Sequence, residues 1–195
     1  MKTIIFVLML FLASTVTGQT IDLHKLTLNG LALKELTVDK LTTILGRPSA
    51  VQSNSLASDL IGPEVYYHQK GLHFWFKTKN KDSEQRIWIM TVYLSKEWDD
   101  SNKEFFMPFT GVVIPKINNN MKINEVLPLF KKFEVEVKSG QERRKKFSND
   151  SGMNPNFIKK DAYTFNISGY GVSLQCDEVT KFVERIDFTF FEPQP

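Results

Sequence analysis

Cysteine is nearly absent: Cys176 is the only one in 195 residues. No intramolecular disulfide can brace the fold, so stability has to come from packing. Long apolar runs are equally scarce. The single one, Ile4–Ala13, is shorter than the ~20 residues that cross a bilayer. Nor does charge of one sign accumulate, because 25 basic and 22 acidic residues leave only +3. That balance does not make nucleic acid or an anionic membrane the expected partner. No Gly-x-Ser-x-Gly elbow, glycine-rich phosphate loop or cysteine signature is present. Of the three histidines, His68 and His73 flank a predicted turn and can face each other across a hairpin, but a metal needs a third or fourth ligand, and neither His24 nor Cys176 is tied to them by a recognisable spacing. No catalytic residue, metal or cofactor is therefore expected.

The chain opens as an export signal. Met1-Lys2-Thr3 supplies a positive start, Ile4–Ala13 an apolar stretch, and Ser14–Gly18 a small-residue exit with Val16 and Gly18 at −3 and −1. Cleavage is expected before Gln19, leaving 195 − 18 = 177 residues with 24 basic and 22 acidic side chains. Gln19 stands where a lipid anchor requires cysteine, so no membrane anchor is expected after cleavage; an uncleaved anchor is the alternative. Lysine outnumbers arginine 20 to 5, which suits an AT-rich bacterial genome. The expected destination is the periplasm or the extracellular space.

Internal similarity shapes the expected fold. Leu26–Leu33 alternates like a strand with a central glycine, as does Phe109–Ile114. A helix face follows each: Val38, Leu41, Ile44 and Leu45 after the N-cap Thr37, then Ile123, Val126, Leu129 and Phe130. Gly46 and Pro48 stop the first helix, whereas Pro128 requires the second to be shorter or kinked. Further on, Gly71–Phe76 matches Gly171–Cys176, and Arg86-Ile87 matches Arg185-Ile186. The expectation is an α+β protein of two tandem strand–helix–antiparallel-strands units, each helix packed on one sheet face. The boundaries would be a signal peptide at 1–18, repeats at 19–95 and 109–195, a linker at 96–108, and a basic loop at 139–160.

The run Leu36–Ser49, with Leu45-Gly46-Arg47-Pro48, resembles the helix, Leu-Gly-x-Pro signature of small bacterial envelope domains. Among these are the small lipoprotein of the outer-membrane barrel assembly machine and the tandem β-lactamase inhibitor protein. The tandem pattern is more similar to a bacterial family of unknown function in which a Phe-x-Gly strand, a helix and a Gly-Ile/Val hairpin recur twice. The resemblance covers most of residues 24–191 and implies a non-enzymatic envelope protein.

Two features are candidate protein contacts. The aromatic stretch Phe74-Trp75-Phe76, with Trp88, Tyr93, Tyr66 and Tyr67, can form a ligand groove or binding patch: alternation sends the phenylalanines to the core and Trp75 outward, where Trp75 and Trp88 can share the helix-free sheet face; coverage by the other unit is the alternative. The segment Ser139–Lys160 holds six basic and two acidic residues, including Arg143, Arg144, Lys145 and Lys146, and reads as a solvated mobile loop with no partner or as a charge-dependent contact. Asp99-Asp100-Ser101-Asn102 lacks the glycine and distal glutamate of a calcium loop and reads as solvated linker. The expected function is non-catalytic binding of another protein. The alternative is carriage of a small apolar ligand between sheet and helix.

Overall fold

Period-two alternation governs most of this chain. In Leu72–Lys77 buried and half-buried residues alternate without exception, the pattern of a strand packed on one face. The computed structural model describes residues 18–53, 62–77, 86–146 and 156–190, with 138–146 and 156–159 described by backbone alone. The expected signal peptide, up to Thr17, lies outside them, as does 147–155 of the basic segment.

The elements run β1 (Thr20–Asp22), β2 (Thr27–Leu28), β3 (Leu31–Ala32), α1 (Val38–Leu45), β4 (Ala50–Ser53), β5 (Pro63–Tyr67), β6 (Leu72–Lys77) and β7 (Arg86–Tyr93). They continue with β8 (Glu97–Asp99), β9 (Glu104–Phe106), β10 (Val112–Ile114), α2 (Ile123–Val126), β11 (Glu136–Lys146), β12 (Asn156–Ile167), β13 (Tyr170–Asp177) and β14 (Val183–Phe190). Eight strands form an antiparallel sheet in the order β11-β12-β13-β14-β7-β6-β5-β4. A smaller sheet runs β10-β1-β2-β3, with β1 and β10 parallel, and β8–β9 is a separate hairpin.

One core fills the space on one side of the large sheet. Leu72, Phe74, Met90, Val92, Val172, Leu174, Ile186 and Phe188 meet Leu41 of α1, Val126 of α2, and Ile21 and Leu28 of the small sheet. The first helix forms where its sequence stops and starts. Thr37 accepts a hydrogen bond from the Lys40 amide at 3.2 Å, and Gly46 ends the helix at φ +79°.

The molecule is mainly β, with about half of its residues in strands and 16 % helical, and this corrects the expected α+β repeat. The strand read across Leu26–Leu33 is instead a hairpin folded at Asn29-Gly30, both at positive φ, a pairing that selects a tight primed turn. Pro128 allows only one α-turn, Ile123–Val126, before a 3-10 turn over Leu127–Phe130. Most decisively, β7 and β14 pair from Arg185↔Tyr93 to Thr189↔Ile89. The two halves thus share one sheet and one core rather than forming two packed units. Arg86 is exposed at the start of β7, while its expected counterpart Arg185 is buried within β14.

Two connecting segments also differ from expectation. Residues 96–108 carry the β8–β9 hairpin rather than an open linker. In the basic segment, 139–146 and 156–160 lie in strands β11 and β12, paired from Gln141↔Lys160 to Lys146↔Asn156. A run of charged residues suits a strand at the end of a sheet, where one side faces solvent, and composition does not separate that from a loop.

Candidate functional site

The face of the large sheet turned away from the core gathers titratable and aromatic side chains. Because Val65 points inward, Glu64 and Tyr66 point to the opposite face, and Tyr66 stands directly across from His73. Their rings stack at 4.2 Å. Tyr66 donates its hydroxyl proton to Glu64. Burial, followed by the Glu64 hydrogen bond and charge, pushes the phenol far above its ordinary pKa. His73 Nε2 lies 2.8 Å from the Trp75 indole nitrogen and 3.2 Å from the Glu64 carboxylate. It can accept from the indole or donate to the carboxylate, but not both at once.

The β8–β9 hairpin covers this cluster. Phe106 stacks on Tyr93 at 4.0 Å and packs on His68 at 4.5 Å and His73 at 5.7 Å. His68, with no exposed surface, places Nε2 2.8 Å from Asp99 Oδ2. Its Nδ1 faces Glu104 at 3.4 Å without hydrogen-bond alignment, so that contact is electrostatic only. Burial would raise the Asp99 pKa, but hydrogen bonds from Asn102, His68 and the Ser101 amide outweigh it and hold the carboxyl below its ordinary value. At the other end of the hairpin Glu97 accepts from Arg185 at 2.8 Å. Arg185 also reaches Asp187 at 3.1 Å and is 7 % exposed. Burial alone would favour loss of its proton, yet Asp187 and Glu97 hold it firmly cationic.

Trp75 and Trp88 come together at the open end of this face, with ring centroids 6.0 Å apart and both half-buried. Trp88 is the extra residue of a bulge, since Trp75 pairs with Ile89 and Phe76 with Ile87. Arg143, Arg144, Lys145 and Lys146 lie on β11, five strands from β6, or about 24 Å at ordinary strand spacing. The two sets of expected contact residues therefore form separate patches.

The sequence reading missed Glu64 and Arg185 as site residues, and Asp99, read there as solvated linker, is buried against His68. Glu64-Val65-Tyr66 and His73-Phe74-Trp75 carried a usable signal, because both alternate polar or aromatic residues around an apolar centre. Nothing local connects Asp99 to His68 or Glu97 to Arg185. His68 and His73 do not face each other: His68 is in the 3-10 turn that follows β5 and His73 pairs with Tyr66. Among the described residues no group of three or more His, Cys, Asp and Glu side chains is arranged to hold a metal ion. Among the same residues no helix is long and apolar enough to cross a membrane.

The fold and site define a mainly β protein in which a short hairpin seals a hydrogen-bonded polar cluster beside a half-exposed tryptophan pair. No family model, curated protein or solved structure matches the chain.

Proposed function

We propose that the chain is an exported, non-catalytic module that binds another protein through the sheet face bearing Trp75 and Trp88. The observation that carries this reading is the preorganised tryptophan pair. Trp75 is fixed by its indole hydrogen bond to His73, which is itself stacked on Tyr66. Rigid aromatic side chains with part of their surface free are the residues that dominate binding energy at protein interfaces. The titratable groups nearby favour the same reading. Tyr66, His68 and Glu64 are buried under the hairpin, with hydrogen bonds to one another or to Asp99. They act as a support for the face rather than as groups presented to a substrate.

Immobilised mature chain, incubated with an envelope extract from its own cell, provides the test. A specific protein should be retained by the parent and lost with Trp75→Ala and Trp88→Ala, while both variants keep the parental melting temperature. Retention that is indifferent to both tryptophans would reject this face as the contact.

A further inference from the structure

Trp75 keeps its place on the open sheet face through one nitrogen of one histidine. An indole N–H donates and never accepts. The 2.8 Å contact between Trp75 Nε1 and His73 Nε2 therefore requires Nε2 to be the unprotonated nitrogen of a neutral imidazole. The same Nε2 lies 3.2 Å from Glu64 Oε2, and an ionised carboxylate accepts and never donates. One ring nitrogen thus stands between a fixed donor and a fixed acceptor. Whether it carries a proton decides which of the two it serves.

The groups around His73 leave this choice to a single proton. From β5 it meets Glu64 and the stacked ring of Tyr66, whose hydroxyl donates to the same carboxylate. From β7 it faces Thr91, which donates to Asp187 of β14, and Asp187 is paired with Arg185. From the hairpin it meets the Phe106 ring, while Asp99 and Glu104 are turned to His68. Lys77 follows Trp75 on the same face of β6. Glu64 is the carboxylate in contact with the His73 ring. The His73 side chain is 11 % exposed, so solvent supplies the proton.

We infer that His73 is a proton-operated latch on the tryptophan face. In the neutral ring Nε2 accepts from Trp75 and holds the indole beside Trp88. A proton taken up at Nε2 turns it into a donor to Glu64, and the indole loses its acceptor. Imidazole groups change charge between about pH 5 and about pH 8, so mild acid operates the latch. One hydrogen bond replaces another, and the change falls on the face rather than on the fold. Its consequence rests on the protein-binding reading of that face: a partner is held in neutral surroundings and released in acid.

The latch is read on the mature chain alone, labelled with the heavy nitrogen isotope, through the magnetic coupling that an N–H···N hydrogen bond transmits between Trp75 Nε1 and His73 Nε2. The coupling should be present at about pH 8 and absent at about pH 5, and its loss should track the titration of the His73 ring. A coupling that persists at the lower pH, or that disappears at the midpoint of some other group, would overturn the latch. The consequence is read with His73→Gln, whose side-chain carbonyl accepts from the indole at every pH. The parent should hold the protein it retains from the envelope extract at least about tenfold more weakly at the lower pH, and His73→Gln should hold it equally at both. Equal retention by the parent, or the same loss in the variant, would overturn the regulation. A chain that retains no protein at either pH would defeat the protein-binding reading, while the coupling still decides the latch.

Discussion

His68 Nε2 lies 2.8 Å from Asp99 Oδ2, joining the turn after β5 to a hairpin thirty-one residues further along the chain. The His68 side chain has no exposed surface and that of Asp99 only 8 %. Two three-residue strands do not persist alone in water. The β8–β9 hairpin is held in place by this pair, by Phe106 against Tyr93, and by Glu97 on Arg185.

Removing His68 takes one hydrogen bond from Asp99, which keeps those from Asn102 and the Ser101 amide. His68→Ala should therefore cost about 1–3 kcal/mol, with Tyr66 and Phe106 losing a stacking partner as well. Urea denaturation followed by tryptophan fluorescence measures the loss. A cost below about 1 kcal/mol would show that the hairpin does not depend on His68.

Acid should weaken the fold in a defined way. The carboxyl of Asp99 is held below its unfolded pKa, and so is that of Asp177, chiefly by the Thr180 amide. A depressed folded pKa means that the stabilisation is complete above the unfolded value. It is lost as pH falls through the folded one. Urea midpoints should be nearly flat above about pH 5 and drop below about pH 4. Asp99→Asn should lower the plateau and reduce the acid drop. An identical drop in the variant would assign it to other carboxylates.

What could be read from the sequence was local. Thr37, Gly46 and Pro48 bound the first helix because capping and termination are decided within a few residues. Alternation at Leu72–Lys77 separated Phe74 and Phe76 from Trp75 for the same reason. Asn29-Gly30 was also local, but it marks a hairpin more strongly than its neighbours mark a continuous strand. Long-range pairing was not readable. The β7–β14 ladder joins residues almost a hundred positions apart, and Asp99 gives no local sign that it reaches a buried histidine.

Two glycines with similar backbone angles should respond differently to alanine. Gly30 and Gly71 have φ +81° and +63°, and a Cβ on Gly30 would meet nothing within 4 Å. On Gly71 it would lie 2.4 Å from the Met107 carbonyl oxygen and 2.7 Å from the Phe109 nitrogen. Gly30→Ala should cost about 1–2 kcal/mol, the strain of a left-handed residue. Gly71→Ala should cost clearly more, because backbone rather than a flexible side chain must move. Thermal melts of the two variants side by side decide it, and equal costs would contradict the close approach.

Leu41 has no exposed surface in the shared core. Leu41→Ala should destabilise the chain by roughly 2–5 kcal/mol, the span for emptying a core leucine site. Because both halves contribute to that core, fluorescence and far-ultraviolet circular dichroism should report one common transition. Two separated transitions would mean that the halves unfold independently.

Cys176 should behave as core rather than as a reactive thiol. It is fully buried on β13 beside Val172 and Leu174. Burial, and then the Asp161 carboxylate, push its pKa up to about 11, while Lys181 acts in the opposite direction. At pH 8 the thiolate is then roughly one part in a thousand, and reagent reaches it only when the sheet opens. Ellman's reagent should label the native protein no faster than the protein unfolds, and labelling should accelerate with urea in parallel with the loss of structure. Substitution gives an independent check. Cys176→Ser puts a hydroxyl in an apolar setting and should cost about 1–3 kcal/mol if the hydroxyl finds no partner. Cys176→Ala, which places no polar atom there, should cost less. Rapid labelling in the absence of denaturant, or a serine variant as stable as the alanine one, would place a polar and accessible environment around Cys176 instead.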